Sequence, residues 1–137
     1  MNITLRAGEK LYINGAVIRT DRKATIELLN DATFLLETHV MQASDATTPL
    51  RQIYFVIQVM LMDPPSAKAT GELARALVDK AIEAFENPNV KTGLRAILEL
   101  INRSRFFEAM KTLRALYPLE QKEMFPEGAE TKSSNAA

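Results

Sequence analysis

The spacing of apolar residues changes about one third of the way along the chain. Up to about residue 43 apolar and polar positions alternate, as at Ile3 and Leu5, which is typical of half-buried β-strands. The Asn14-Gly15 dipeptide is a strong hairpin signal, because a type I′ turn needs positive φ at both central positions. The pattern predicts about five short strands in one antiparallel sheet, at residues 2–6, 10–13, 16–19, 24–29 and 34–37.

From residue 44 onward the spacing is helical. Thr48 is a candidate N-cap and Pro49 suits the first helical position, so a helix is predicted over Pro49–Met62. This segment is apolar on nearly every side, which is typical of a helix central in a core or forming half of an interface. Further helices are predicted at residues 67–86, 87–101 and 105–117, the last either separate or continuing the third after a bend near 102–104, and stopped by Pro118.

These elements predict an α+β fold, in which a small N-terminal antiparallel sheet precedes a C-terminal bundle of three to four helices. The sheet region would cover residues 1–43 and the helical region residues 44–118. Residues 119–137 are polar and poor in large apolar side chains, so we expect a disordered tail there.

The residue inventory argues against most enzyme classes. The 137 residues include no cysteine, which excludes a disulfide framework, a zinc–thiolate site and a cysteine nucleophile. There is one histidine, which argues against a multi-histidine metal centre and an ordinary Ser-His triad. We therefore expect a non-enzymatic protein without metal or cofactor. The most apolar stretch, residues 53–62, is too short to cross a bilayer core of about 30 Å. The first residues lack the pattern of a signal peptide, so a cytoplasmic protein away from the membrane is expected.

Charge is balanced overall, with 17 basic and 17 acidic residues, but it is unevenly distributed. Residues 89–118 hold six bases and two acids, an excess that suits a polyanion and equally suits a solvated helix face. The members that we take as a second basic surface are Arg95, Arg103, Arg105, Lys111 and Arg114.

Basic residues also flank the predicted turns between the strands. They are Arg6, Lys10, Arg19, Arg22 and Lys23. Tyr12 lies between them in sequence, and cations with a nearby aromatic ring can hold single-stranded RNA through phosphate contacts and base stacking. Ordinary solvent-facing strand and turn positions would show the same pattern.

Two sequence segments resemble the FlbT family of flagellar-biosynthesis regulators. They are residues 6–19, RAGEKLYINGAVIR, and residues 51–58, RQIYFVIQ, followed by Asp63-Pro64, and the resemblance covers about residues 1–118. It implies a post-transcriptional repressor that associates with the 5′ untranslated leader of flagellin mRNA and promotes its degradation or blocks its translation. It also implies a small flagellin-associated protein, FlaF, as a partner.

Residues 3–13, ITLRAGEKLYI, are similar to the opening of the CsrA family of five-stranded RNA-binding dimers. This likeness implies a homodimer whose RNA surface combines the first strand of one chain with the last strand of the other. By position it nominates Thr4, Leu5 and Arg6 at one end and Thr38 and His39 at the other. Leu5 and Val40 stand where that family carries basic residues, so basic helices could contribute to binding.

We therefore expect flagellin leader RNA to contact the basic residues of the turns with its phosphates, while Tyr12 or His39 stacks on or hydrogen-bonds a base. The competing hypothesis is a protein-binding adaptor whose helices form a groove for a partner helix. The side chains that would line the groove, or else fill the core, are Met60, Met62, Phe106, Phe107 and Met110.

Overall fold

The alternating N-terminal region forms two small antiparallel sheets in the computed structural model, which describes residues 1–30 and 32–126. The strands are β1 (Asn2–Leu5), β2 (Lys10–Ile13), β3 (Ala16–Arg19), β4 (Ala24–Glu27) and β5 (Phe34–Leu36). β1 pairs with β4, and β2 lies between β3 and β5. The five strands are confirmed and the single sheet is wrong, because alternation shows which side chains are buried but not which strands pair.

A small core fills the space between the two sheets. Its buried side chains are Ile3, Leu5, Leu11 and Phe34, and we call it the strand core. On the other face of β2, Tyr12 stands opposite Leu35, and both side chains pack against the helices. β2 and β5 are therefore packed on both faces, whereas β3 is exposed along its whole length.

The helices are α1 (Pro49–Met62), α2 (Ala67–Ala84), α3 (Pro88–Asn102) and α4 (Phe106–Met124), with short 3₁₀ turns at Glu37–His39, Ala43–Asp45 and Pro64–Ser66. Nineteen buried residues form the helical core. α1 contacts α2, α4, β2 and β5, which explains why its sequence is apolar nearly all round. The α+β prediction is confirmed. In the part of the chain that the structure describes, every helix is too short or too polar to cross a membrane.

Helix boundaries follow the expected local signals in several places. The Thr48 hydroxyl accepts a hydrogen bond from the Arg51 N–H at 3.3 Å, and the Asn87 side chain accepts one from the Asn89 N–H at 2.8 Å. α3 and α4 are separate helices, since the chain turns at Ser104, whose φ is 58°.

The end of α4 differs from the prediction. The helix passes through Pro118 and continues to Met124, so neither the stop at residue 118 nor a tail starting at residue 119 is correct. Pro118 is exposed, and because it has no N–H the Arg114 carbonyl lacks its usual helical hydrogen bond. The next turn is held by Glu120, which is 1% exposed and accepts hydrogen bonds from the Thr48 hydroxyl at 2.6 Å and the Leu50 N–H at 2.8 Å. The rest of the expected tail, residues 127–137, lies outside the described residues.

Candidate nucleic-acid interface

The pairing of the strands brings two turns together at one end of the sheets. β1 ends there at Leu5 opposite Ala24 of β4, and β2 begins there at Lys10 opposite Arg19 of β3. The Gly8 N–H donates a hydrogen bond to the Thr20 carbonyl at 2.8 Å, so residues 6–9 and 20–23 lie side by side. We call the five basic residues of this surface the basic end: Arg6, Lys10, Arg19, Arg22 and Lys23.

All five side chains of the basic end are exposed. Three acidic residues lie among them, and two of these bind backbone: Glu9 accepts from the Arg6 N–H at 3.0 Å and Glu37 accepts from the Lys10 N–H at 2.8 Å. The third, Asp21, lies 3.6 Å from Arg22 in an ion pair whose side chains are both more than four-fifths exposed, so it contributes little. Cations therefore exceed anions on this surface.

Two other predicted RNA contacts from the strands lie elsewhere. Tyr12 is half-buried and packs against the helical core, so the structure does not bring it to the open surface of the basic end. Thr4 is exposed on β1, where its hydroxyl oxygen lies 3.3 Å from that of Thr25. Thr4 is thus accessible, on the two-stranded sheet.

His39 lies in a second feature, a cleft of about 590 Å³ between the connecting segment 38–48, α1 and α4. Arg51 and Arg114 line it, and each guanidinium lies over a tyrosine of the other helix. The Arg51 guanidinium carbon is 4.3 Å from the ring centroid of Tyr117, and that of Arg114 is 5.9 Å from the ring centroid of Tyr54. We call this the aromatic cleft.

Hydrogen bonds fix the wall of the aromatic cleft that carries His39. The Tyr54 hydroxyl donates to the His39 carbonyl at 2.6 Å and accepts from Nη1 of Arg114 at 3.1 Å. One turn further along α1, the buried Gln58 side chain accepts from the Met41 N–H at 2.6 Å and donates to the Met41 carbonyl at 2.8 Å. The tyrosine and glutamine of the RQIYFVIQ segment therefore hold the connecting segment against α1.

Two polar atoms in the aromatic cleft are buried without a hydrogen-bond partner among the described residues: Nδ1 of His39 and the hydroxyl of Tyr117. Burial and the positive charge of Arg114 lower the pKa of His39, which favours the neutral imidazole. Burial raises the pKa of Tyr117 against the opposing effect of Arg51, so the phenol stays protonated. Buried polar groups without partners are uncommon in native proteins.

The basic residues of the third and fourth helices are divided between different places. Arg103 lies 2.7 Å from Glu99 and Arg105 pairs with Glu108, both next to the turn between α3 and α4. Residues of this turn lie near Asn14 and Thr33, at the end of the strands opposite the basic end. The remaining three are an exposed Arg95 on α3, an exposed Lys111 on α4 and Arg114 in the aromatic cleft.

The side chains proposed for an adaptor groove are largely packed inside. Met60 and Met110 are buried, and Met62 and Phe106 pack against the same helical core. Phe107 stacks on Phe34 of β5, with ring centroids 5.6 Å apart. These residues join the elements together, and Phe106 and Phe107 also line a depression of about 520 Å³ beside the turn between α3 and α4, so the adaptor hypothesis stays a prediction.

Sequence reasoning missed three residues of the aromatic cleft: Arg51, Tyr54 and Tyr117. A signal for them was present, since Arg51 and Tyr54 share an Arg-x-x-Tyr spacing with Arg114 and Tyr117. That spacing places the two side chains of each pair on neighbouring turns of one helix face.

A family model described as "Flagellar protein FlbT" matches residues 1–124. The chain belongs to the FlbT family. The match includes the last turns of α4, which the resemblance over residues 1–118 had left out.

Relatives of this FlbT-family chain cover most of its length. A protein of Chelativorans sp. (strain BNC1), named "Probable flagellum biosynthesis repressor protein FlbT", is 49% identical over 119 residues, 87% of this chain and 82% of the relative. A protein of Bradyrhizobium diazoefficiens, named "Probable flagellum biosynthesis repressor protein FlbT 2", is 50% identical over 121 residues, 88% of this chain and 89% of the relative. No solved structure matches the chain, so the likeness to CsrA stays a prediction.

Proposed function

We propose that this FlbT-family chain is a cytoplasmic, non-enzymatic repressor of flagellum biosynthesis that binds the 5′ untranslated leader of flagellin mRNA. The names of its relatives support the repressor role. The observation that carries the RNA-binding step is the basic end, where separate turns of the chain present five exposed cations on one surface.

The chemistry of the basic end suits a single-stranded phosphate backbone. Lysine and arginine side chains displace the counterions of RNA when they contact phosphates, and this release favours binding. Such contacts position the strand but carry no sequence information, which has to come from groups that touch the bases. In this proposal the bound protein blocks translation, or it presents the messenger to a separate nuclease that cuts it.

A titration of fluorescently labelled leader RNA at several salt concentrations tests the proposal. Each phosphate contact to a single strand should add about 0.7 to the slope of log affinity against log salt. Arg6→Gln and Arg19→Gln should each weaken binding and reduce that slope. Lys80→Gln removes the same charge from an exposed site on α2 and should change neither quantity. Equal binding of scrambled RNA of the same length would contradict leader recognition.

A second candidate function, protein binding, is favoured by β3. Its four residues are all exposed, with Val17 58% and Ile18 39% accessible, and it forms an open edge of the three-stranded sheet. An open apolar edge suits a partner strand, from a FlaF-like protein or from a second copy in a homodimer. Light scattering of the purified chain, alone and with that protein, distinguishes the two partners. Val17→Lys should abolish whichever assembly forms.

A further inference from the structure

We propose that the aromatic cleft binds one unpaired nucleotide of the RNA whose phosphate backbone crosses the basic end. This inference rests on the proposed function and adds a base-contacting site to it. The ligand class is a nucleoside monophosphate unit, recognised by the two guanidinium groups that line the cleft. The cleft has a volume of about 590 Å³ and is open to solvent, which suits a nucleotide that remains part of a longer strand.

The two arginines of the cleft are positioned but not neutralised. Within residues 1–30 and 32–126, neither Arg51 nor Arg114 has a carboxylate oxygen within 4.0 Å. The nearby buried carboxylate of Glu120 is engaged by Thr48 and Leu50 at the start of α1. Asp45 also lines the cleft but forms no ion pair with either arginine among the described residues, so two cations on facing helices outnumber one acidic side chain and favour an anionic ligand.

Each guanidinium lies over a tyrosine ring, and apart from the Arg114 N–H that binds the Tyr54 hydroxyl, the N–H groups of both side chains have no hydrogen-bond partner among the described residues. RNA-binding sites use arginine planes in this way, with an unstacked base lying on the guanidinium and phosphate oxygens accepting from its edge. Both modes are available here, because the reciprocal Arg-x-x-Tyr pairs place Arg51 and Arg114 on opposite walls of the same cleft.

Two polar atoms without a hydrogen-bond partner lie shielded from solvent beside the cleft, and in this proposal a base reaches them when the side chains that cover them shift. Neutral His39 has an Nδ1 that can donate or accept, and the Tyr117 hydroxyl can do both. A phosphodiester or a fully ionised phosphate monoester only accepts hydrogen bonds, whereas the edges of nucleobases carry both donors and acceptors. The wall that holds His39 is already fixed by Tyr54 and Gln58, so little ordering is needed when a ligand enters.

The cleft and the basic end meet at one shared lining residue, Thr38. Thr38 lines the aromatic cleft, and it also lines a shallow groove with Arg6 and Glu9. Lys10 is joined to this region because its N–H donates to the Glu37 side chain. In this proposal, a strand held by its phosphates on the basic end reaches the cleft across Thr38.

The only histidine of the chain provides a direct test. The imidazole signals of His39 can be followed by NMR while AMP, UMP, adenosine and inorganic phosphate are added separately, at about pH 8 so that the imidazole stays neutral. We expect a saturable shift with the nucleotides and affinities at least about tenfold weaker for adenosine or phosphate alone, since each lacks half of the contacts.

Variants of the full chain define the site. Arg51→Gln and Arg114→Gln should each weaken nucleotide binding by about tenfold or more, and Lys80→Gln should leave it unchanged. Tyr117→Phe keeps the ring but removes the unpartnered hydroxyl, so it should weaken binding severalfold while the fold stays intact. If an arginine variant fails to fold, Tyr117→Phe tests whether the cleft is the nucleotide site.

The two proposals fail in different ways. Leader RNA that binds through Arg6 but leaves the His39 signals unmoved would overturn the cleft site and leave the proposed function standing. Leader RNA that does not bind at all would overturn the proposed function. The mononucleotide titration would then still show whether the cleft binds a nucleotide. Equal affinity for phosphate and nucleotide, or no saturable shift with any nucleotide, would overturn the inference.

Discussion

The strands and the helices of this chain are held by cores of very different size. The strand core has four buried side chains, whereas the helical core has nineteen. Two- and three-stranded sheets are marginal by themselves, and four side chains do not offset the entropy of ordering the whole strand region. The strands therefore depend on Tyr12 and Leu35, which pack onto the helices.

This difference separates the two candidate surfaces as well. The basic end belongs to the weakly held strands, and the aromatic cleft lies where the connecting segment meets α1 and α4. Regions with few buried contacts open locally at low free energy, so the basic end can adapt to an RNA strand. The cleft has a wall held by hydrogen bonds and suits a defined ligand.

The largest expected effect comes from making the same leucine-to-alanine substitution in each of the two cores. Leu113 and Leu11 are both 0% exposed, one in each core. Leu113→Ala should reduce the free energy of unfolding by about 2–5 kcal/mol in urea titrations, because the helical core cannot fill the cavity. Leu11→Ala should instead speed amide exchange in β1–β5 while the helices stay protected. Equal loss of protection in the helices of both variants would show one cooperative unit.

The second expected effect concerns the hydrogen bonds by which Glu120 joins the end of α4 to the start of α1. Glu120→Ala should cost about 2–4 kcal/mol of unfolding free energy, since it leaves a cavity and a buried Leu50 N–H without an acceptor. Glu123 offers a matched control on the same helix. Its carboxylate accepts from the N–H groups of Glu86 and Asn87, both at 2.9 Å, in a more exposed setting. Glu123→Ala should cost about 0.5–1.5 kcal/mol, and an equal cost at both sites would contradict the role of burial.

Two glycines measure how tightly the helices pack. A Cβ at Gly93 of α3 would lie 2.7 Å from a methyl carbon of Leu116, whereas at Gly71 of α2 the nearest atoms are at 3.5 Å or more. Gly93→Ala should therefore destabilise the chain by about 1–3 kcal/mol, despite the better helix propensity of alanine. Gly71→Ala should be neutral or stabilise by up to about 1 kcal/mol. Thermal denaturation of both variants checks the difference in sign.

The smallest effect is a pH dependence at the junction of the two regions. The pKa of His39 is lowered from 6.5 in the folded chain, so the unfolded state binds more protons near that pH. Its contribution to stability is complete above about pH 6.5 and declines as the pH falls below it. His39→Gln should remove this slope. Arg114→Gln should raise the pKa of His39 in an NMR titration, and an unchanged pKa would contradict the influence of the guanidinium.

Local signals in the sequence predicted the fold where the physics is local. Asn14 and Gly15 have φ of 47° and 83°, as the hairpin requires, and Thr48 with Pro49 starts α1 as expected. The end of α4 could not be predicted in this way. Pro118 is a local stop signal, and contacts of Glu120 with residues 70 and 72 positions earlier override it.

The candidate sites, too, could be predicted from the sequence only as far as local signals reach. The basic residues of the turns were identified from sequence, but their meeting at one end depends on β1 pairing with β4 and β2 with β3. The aromatic cleft pairs Tyr54 with Arg114, 60 residues apart, so periodicity within one helix could assign Tyr54 only to the core. Tyr12 shows the opposite case, since its place in a basic segment suggested a surface that the sheet turns toward the helices.

The hydrogen bonds between Glu120 and the start of α1 determine the order in which parts of the chain can fold during synthesis. The strands all lie within the first 36 residues and are translated first, but they are held only when Tyr12 and Leu35 have helices to pack against. α1 receives its Leu50 acceptor only after residue 120 has left the ribosome. A nascent chain therefore presents the folded basic end only when the helical body is nearly complete, so that surface can meet a messenger only late in synthesis.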